Sequence, residues 1–406
     1  MSWLSEYPPW LNVKWKQWGN PHTVLWAEGP EIKISSEPLQ NTDTSSPLFI
    51  LKKQIELLDA SGQWEFLKRS SNPYELVFSQ SQDPRIPQSV CSLRPLSRSF
   101  FKMTEILSVL DFFKRQPKSE KRPFLNSAHV CEGPGGFIES LLFHSSKNSI
   151  SVENAWAMTL KPTKSNIPGW KRAFNFLRKS PMVRISYGED DTGDIMVPEN
   201  QEHFLRDIRG KCSIFTADGG FDFTEHYGTQ ESEVFPLLVS SSLIGLQTMA
   251  MGGDFVLKIF DTELASTTDL IAILAYCFDS WTLYKPALSR PCNAEKYFLG
   301  RGCRVVPPWI LRTLTELRDL RTNNIEAIFN SIPAHIKKDI DFLKKEHLNQ
   351  QIASLNNAIV SREEWNAKPE AIWKSIGEKS VNWCKQFQMP LIPFSGFNSG
   401  FRSIQT

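Results

Sequence analysis

No two cysteines in this chain are spaced C-x-x-C, and the seven present, at 91, 131, 212, 277, 292, 303 and 384, are odd in number. A zinc site and a disulfide framework therefore both lack support. Reduced, mostly buried thiols in an intracellular protein are expected instead. The chain also has no G-x-x-x-x-G-K-[ST], no G-x-S-x-G and no H-E-x-x-H. That leaves a P-loop, a hydrolase nucleophile elbow and a zinc protease helix without a sequence basis. No apolar run approaches the roughly 18 residues of a membrane span. The first ten residues lack the basic end and apolar run of a signal peptide. Nucleus and cytoplasm, including a viral cytoplasmic factory, are equally compatible with these absences. The formal net charge is only +2, so an RNA-binding role requires basic residues gathered locally. There is neither an internal repeat nor a low-complexity segment.

Aromatic residues are abundant. Thirteen Trp and 27 Phe among 406 residues are enough for a large core or for stacking surfaces. Trp3, Trp10, Trp15, Trp18 and Trp26 argue against a disordered N-terminal region, since disordered segments are poor in aromatics. Residues 50–60 and 64–68 read as helices and 35–47 as a loop. A helix is expected over 97–113, with Lys102 early in it. Residues 114–122 then hold five basic side chains and one acid. Such a run is most often a solvated surface, with nucleic acid as the second reading.

From 128 onward, strands and helices alternate. Strands are expected at 128–131, 155–160, 182–187, 212–218, 253–260, 281–284 and 296–299. Helices are expected from 137, and at 170–177, 200–208, 231–251 and 267–278. This alternation predicts an α/β fold, with a doubly wound, mostly parallel sheet covered on both faces. The short connection between the last two strands adds an antiparallel edge strand. Beyond 306 the pattern is helical, at 308–319, 324–330, 336–349 and 370–387, with a tail from 390. The domain reading is an N-terminal extension (1–92), a catalytic α/β domain (93–305) and a helical C-terminal extension (306–406).

Within this order, Cys131-Glu132-Gly133-Pro134-Gly135-Gly136-Phe137 joins the first strand to a helix. It is either a tight connection or the first wall of a nucleotide-type pocket. Three charged residues fall at or beside strand ends, where sites form in open α/β sheets. They are Asp218, Lys258 within Phe255-Val256-Leu257-Lys258-Ile259-Phe260, and Glu295. A lysine in so apolar a strand is costly to bury unpaired. It is either a salt-bridged or snorkelling structural lysine or a base that orients and deprotonates an alcohol.

The segment from about 93 to 304 resembles the FtsJ-like (RrmJ-type) S-adenosylmethionine-dependent RNA 2′-O-methyltransferases. It is most similar to the eukaryotic and large-DNA-virus members that act on the first transcribed nucleotide of capped mRNA. The resemblance is carried by Phe101-Lys102-Met103, the 131–137 turn, Ala157-Met158-Thr159-Leu160-Lys161, Tyr187-Gly188-Glu189, Gly193-Asp194-Ile195, Pro198-Glu199-Asn200, Ala217-Asp218-Gly219-Gly220, the 253–260 strand and Ser289-Arg290-Pro291-Cys292-Asn293-Ala294-Glu295-Lys296-Tyr297. It implies a Rossmann-like methyltransferase fold and a catalytic tetrad of Lys102, Asp218, Lys258 and Glu295, with Lys258 as the base. It implies S-adenosyl-L-methionine held by Glu132, Gly133, Pro134, Gly135, Gly136 and Phe137 on the methionine side. Asp194 is expected near the adenosine and Asp218 near the donor methyl. No metal is implied. The implied partners are capped mRNA and, at one remove, other capping or transcription proteins. Arg94, Arg98, Lys161, Lys164, Lys171, Arg172, Arg290 and Lys296 are the local basic residues expected to line an RNA groove. A ribosomal or transfer RNA 2′-O-methyltransferase and a non-catalytic RNA-binding subunit of the same fold are the rival readings.

Overall fold

A computed structural model describes residues 8–19, 29–39, 45–116, 124–163, 167–220 and 229–392. Trp3, Trp26, Lys164, residues 117–122 of the basic run and the tail from 393 lie outside the described residues.

Seven strands form the central sheet: β1 (Phe124–Val130), β2 (Ser151–Met158), β3 (Val183–Ser186), β4 (Cys212–Ala217), β5 (Met249–Ile259), β6 (Phe278–Tyr284) and β7 (Lys296–Cys303). Their order is β3-β2-β1-β4-β5-β7-β6. The pairs β1–β2, β2–β3, β1–β4 and β4–β5 are parallel, while β7 runs antiparallel to both β5 and β6. The sheet is thus doubly wound, as the alternation implied, and its antiparallel strand lies one place in from the edge. Strand order reverses between β1 and β4, so their carboxyl ends diverge there and leave a crevice.

Both sheet faces are apolar because both are covered, as a parallel sheet requires. On one face, Ala128, Val130, Phe215, Ala217, Phe255 and Leu257 join a core with α5 (Pro198–Leu205), α6 (Gln230–Thr248), α7 (Ala265–Tyr276) and α8 (Pro308–Asp319). On the other, Leu125, Ile214, Val256, Tyr297 and Leu299 pack with α3 (Ser99–Val109) and α4 (Gly136–Lys147). The alternation of side chains along a strand sends Phe255, Leu257 and Ile259 one way and Val256 and Lys258 the other.

The segments before and after the sheet domain meet behind α3. Helices α1 (Pro47–Ala60) and α2 (Trp64–Ser70) share a buried cluster with the end of α9 (Ala334–Val360) and with α10 (Pro369–Gln386). Phe100 and Phe101 of α3 and Ala287, Leu288 and Cys292 belong to the same cluster. Two buried carboxyls stitch it together. Glu105 of α3 accepts from Tyr284 Oη, Ala287 N (2.8 Å) and Trp383 Nε1 of α10 (2.7 Å). Burial pushes its pKa up to about 7, against the pull of those three donors. Glu75 takes Arg98 and Arg290, each at 3.0 Å. Burial opposes its ionisation, but the Arg98 and Arg290 charges outweigh that and hold it below the ordinary carboxylate value.

Residues 324–330 depart from the helical expectation. Ile325–Ala327 forms a short strand paired antiparallel with Lys33–Ile34. Asp269 of α7 caps its end by accepting from Ile328 N (2.8 Å) and Phe329 N (3.1 Å). Tertiary pairing here overrides local pattern. The helix expected at 336–349 is longer, running to Val360. All seven cysteines are free thiols, six of them buried.

Glu75→Ala removes the carboxylate that Arg98 and Arg290 share and leaves two guanidiniums unpaired in the interior. Breaking a buried pair in this way costs about 3–5 kcal/mol. Urea unfolding of this variant against the parent chain is expected to show a loss of that size.

Candidate active site

Four separate elements deliver the tetrad. Lys102 is one of three residues not buried in a helix otherwise buried along its length, with Ser99 and Ser108. Asp218 directly follows β4, and Lys258 is the penultimate residue of β5. In register, Val130 lies beside Ala217 and Ala217 beside Leu257, so the ends of β1, β4 and β5 are level. Glu295 precedes β7. Because β7 is antiparallel, its start lies at the same end of the sheet, with Lys296 paired to Ile259 and Tyr297 to Lys258. The reversal of that one strand brings Glu295 to the carboxyl ends of the others.

The four side chains are all but closed off from solvent, at 13%, 13%, 12% and 10% exposure for Lys102, Asp218, Lys258 and Glu295. Lys102 Nζ donates to Glu295 Oε1 at 2.6 Å. Lys258 Nζ lies 3.2 Å from Asp218 Oδ1 and 3.8 Å from Glu295 Oε2. It also donates to the Asp218 main-chain oxygen at 2.9 Å. Tyr297 Oη donates to Asp218 Oδ1 at 2.7 Å. The salt-bridged lysine and the site lysine are thus the same arrangement. Burial disfavours the Lys258 ammonium, but the Asp218 and Glu295 carboxylates outweigh it and hold its pKa above the ordinary 10.5. Burial likewise opposes the Glu295 carboxylate, and Lys102 and Lys258 reverse that and hold its pKa well below the ordinary range. In the protein alone, Lys258 is therefore an ammonium, not a ready base.

The 131–137 turn lies beside this cluster. Cys131 stands between the tetrad and the loop that carries Asp194. Burial and then the charges of Asp194, Glu132 and Asp218 push its thiol up to about 12, with Lys258 opposing. Gly135 has φ +104°, and Trp170 packs 3.2 Å from where its Cβ would stand. A Cβ on Gly136 would meet the Ser97 and Ser99 hydroxyls at 2.3 Å, and one on Gly133 would meet the Gly169 carbonyl oxygen at 2.7 Å. Two of the glycines are thus required by the approach of α3 and of the 167–170 segment. The first N–H groups of α4, which lack partners within a helix, follow directly on this turn, and Gly135 at the N-cap has no side chain to cap them.

The remaining expected residues divide. Phe137 is fully buried, with its ring 5.9 Å from that of Tyr297. Glu132 turns inward, accepts from Thr216 Oγ1 and sits 3.2 Å from His129 Nδ1. Its carboxylate braces the turn from beneath. Asp194 accepts from Met196 N at 2.8 Å. Buried Asn200 holds the same loop through Asp190, Thr192 and the Asp194 carbonyl. Arg94 is exposed, and Lys161 remains at the surface over the Tyr187 ring, paired with Asp191. Arg98, Arg290 and Lys296 do not line a groove. Both arginines are spent on Glu75, and Lys296 is buried and donates to the Phe260 and Ala294 carbonyls. Sequence reasoning missed Tyr297 and Lys285. Both lie within or next to the matched 289–297 block.

The profile of the FtsJ-like methyltransferase family matches residues 95–303, the segment that holds the sheet and all four charged residues. The chain belongs to this family. It is 31% identical over 329 residues to cap-specific mRNA (nucleoside-2′-O-)-methyltransferase 1 of Xenopus laevis, covering 74% of this chain and 38% of that protein. It is 34% identical over 196 residues to cap-specific mRNA (nucleoside-2′-O-)-methyltransferase 2 of Danio rerio, covering 47% and 26%. The human methyltransferase 1 aligns at 28% over 331 residues, covering 75% and 37%. The chain thus spans well under half the length of these relatives. The resemblance to FtsJ-like enzymes and the α/β methyltransferase fold read from the sequence are both borne out.

Asp218→Asn removes the nearer of the two carboxylates that hold Lys258 protonated. A side-chain nitrogen NMR titration is expected to place the Lys258 pKa lower in this variant than in the parent chain.

Proposed function

We propose that this chain transfers a methyl group from S-adenosyl-L-methionine to the ribose 2′-hydroxyl of the first transcribed nucleotide of capped mRNA, converting cap-0 to cap-1. The observation that carries this reading is the meeting of Lys102, Asp218, Lys258 and Glu295 in one cluster beside the glycine turn. The capped-RNA substrate is supported by the relatives, which are cap-specific mRNA 2′-O-methyltransferases by name.

The donor set suits the cofactor. The N-terminus of α4 offers N–H groups and a positive dipole end to a carboxylate. The Asp218 and Asp194 carboxylates suit an ammonium and ribose hydroxyls, respectively. When bound, the cofactor supplies an electrophilic methyl on a sulfonium. The protein's task is then largely to place an alcohol in line with it.

The Lys102 and Lys258 ammoniums both reach Glu295 and can together fix the oxygen of a ribose hydroxyl. As the methyl moved from sulfur to that oxygen, the hydroxyl proton would pass to the neutral Lys258 amine. A like charge brought near Lys258 lowers its pKa, which favours that neutral form. Arg94, Lys161, Lys171 and Arg172 are the expected basic residues that remain at the surface to meet RNA phosphates. Trp18, Trp281, Trp373 and Trp383 are fully buried and belong to the core, not to a cap-stacking surface.

Lys258→Ala is expected to lower methyl transfer to a capped oligoribonucleotide by at least about 100-fold, the low end for loss of a general base, while cofactor affinity by calorimetry changes little. Equal methylation of capped and uncapped oligonucleotides contradicts the cap-specific reading. Unchanged transfer by Lys258→Ala contradicts the catalytic one.

The pH dependence follows from the sign of the shift. A base whose pKa is raised in the free protein is mostly protonated at neutral pH, so kcat/KM is expected to rise with pH into the alkaline range. Glu295→Gln removes one carboxylate from Lys258, lowers its pKa and moves that limb to lower pH while reducing the maximal rate. A pH-rate profile of each protein checks both.

A further inference from the structure

Lys285 follows the last residue of β6, and its partly buried ammonium lies behind the loop that carries Glu295. It donates to the Asn293 carbonyl and side-chain oxygens, each at 2.8 Å, and to the Glu295 carbonyl at 2.7 Å. Ser289 Oγ lies at 3.4 Å. The three short bonds use all three ammonium protons, and every acceptor lies between 289 and 295. Among the described residues no carboxylate stands within ion-pair distance of it. Burial pushes its pKa down to about 7, with Glu295 opposing and Lys296 and Lys102 adding to the fall.

We infer that Lys285 is a positioning residue for Glu295, its ammonium holding the 289–295 turn from behind so that the Glu295 carboxylate stands between Lys102 and Lys258. The backbone of Glu295 is held on one side by Lys285 and its carboxylate on the other by Lys102 at 2.6 Å. Lys285 also acts through charge. It is one of three lysines that favour the Glu295 carboxylate over its acid form. A neutral side chain can satisfy the carbonyls but cannot do this. The inference rests on the tetrad reading above.

The test compares Lys285→Met and Lys285→Arg with Glu295→Gln and the parent chain, using S-adenosylmethionine and a capped oligoribonucleotide. Without the clamp, Glu295 leaves its place and Lys258 loses one of the two carboxylates that raise its pKa. The groups facing Lys258 are Asp218 with its Tyr297 partner, Glu295, Lys102 and Cys131. Loss of Glu295 from this set lowers the Lys258 pKa.

Lys285→Met is therefore expected to lower kcat by about 100-fold, the scale of an ångström-sized misplacement. KM for RNA and cofactor affinity should change little, and the alkaline limb should shift to lower pH as in Glu295→Gln. Should the Met variant not fold, Lys285→Arg decides. Its planar head cannot make the same three bonds, so kcat falls and the limb shifts in the same direction. Parent-like kcat in a folded Lys285 variant overturns the inference. So does a loss of kcat with no movement of the limb, which marks a merely structural lysine. If Glu295→Gln itself keeps parent-like activity and limb, the tetrad reading falls instead, whatever the Lys285 variants do.

Discussion

A lysine ammonium held at the closed end of an apolar strand is the constraint around which this structure is arranged. Lys258 lies in a run of Phe, Val, Leu and Ile, and it stays charged only because two carboxylates reach it. Neither comes from its own strand. Asp218 arrives because β4 and β5 are parallel and end level. Glu295 arrives because β7 alone runs the other way, so that its start meets their ends. A wholly parallel sheet has no strand start at that level. The antiparallel strand is thus part of the site and not an ornament of the sheet edge.

The same arrangement explains why Lys258 is not a base at rest. Two carboxylates at 3.2 Å and 3.8 Å favour the ammonium more than burial disfavours it. Stability of the free protein and readiness for catalysis pull in opposite directions here. On the proposed reading, a further positive charge brought to this cluster shifts that balance toward the neutral amine. The pairing of Lys102 with Glu295 adds to this balance, because it shares one carboxylate between two lysines.

Much of this was legible in the sequence. The alternation of strand and helix patterns announced the sheet, and the ordered motif blocks singled out four charged residues that prove to be neighbours. The parts that were not legible share a physical cause. Counting basic residues near the motifs suggested Arg98, Arg290 and Lys296 for RNA. Nothing local reveals that Glu75, more than 200 residues from Arg290, is buried and claims both guanidiniums. Residues 324–330 read as helix because their partner strand is two residues at Lys33–Ile34, too short to register as a pattern. The glycine turn was read as room for a ligand. Gly133 and Gly136 also make room for neighbouring protein, which no local pattern shows. The segments before 93 and after 305 showed no motif, yet their helices share one buried cluster with α3 and the 286–292 loop. Glu105 ties that cluster to the helix of Lys102.

The central claim is that this cluster places a ribose 2′-oxygen for methylation. The most direct measurement offers the chain two capped oligonucleotides with labelled methyl donor, identical except that the first nucleotide of one carries a 2′-deoxyribose. The account predicts label on the 2′-oxygen of the ribose form and none on the deoxy form. Equal labelling of the two contradicts it.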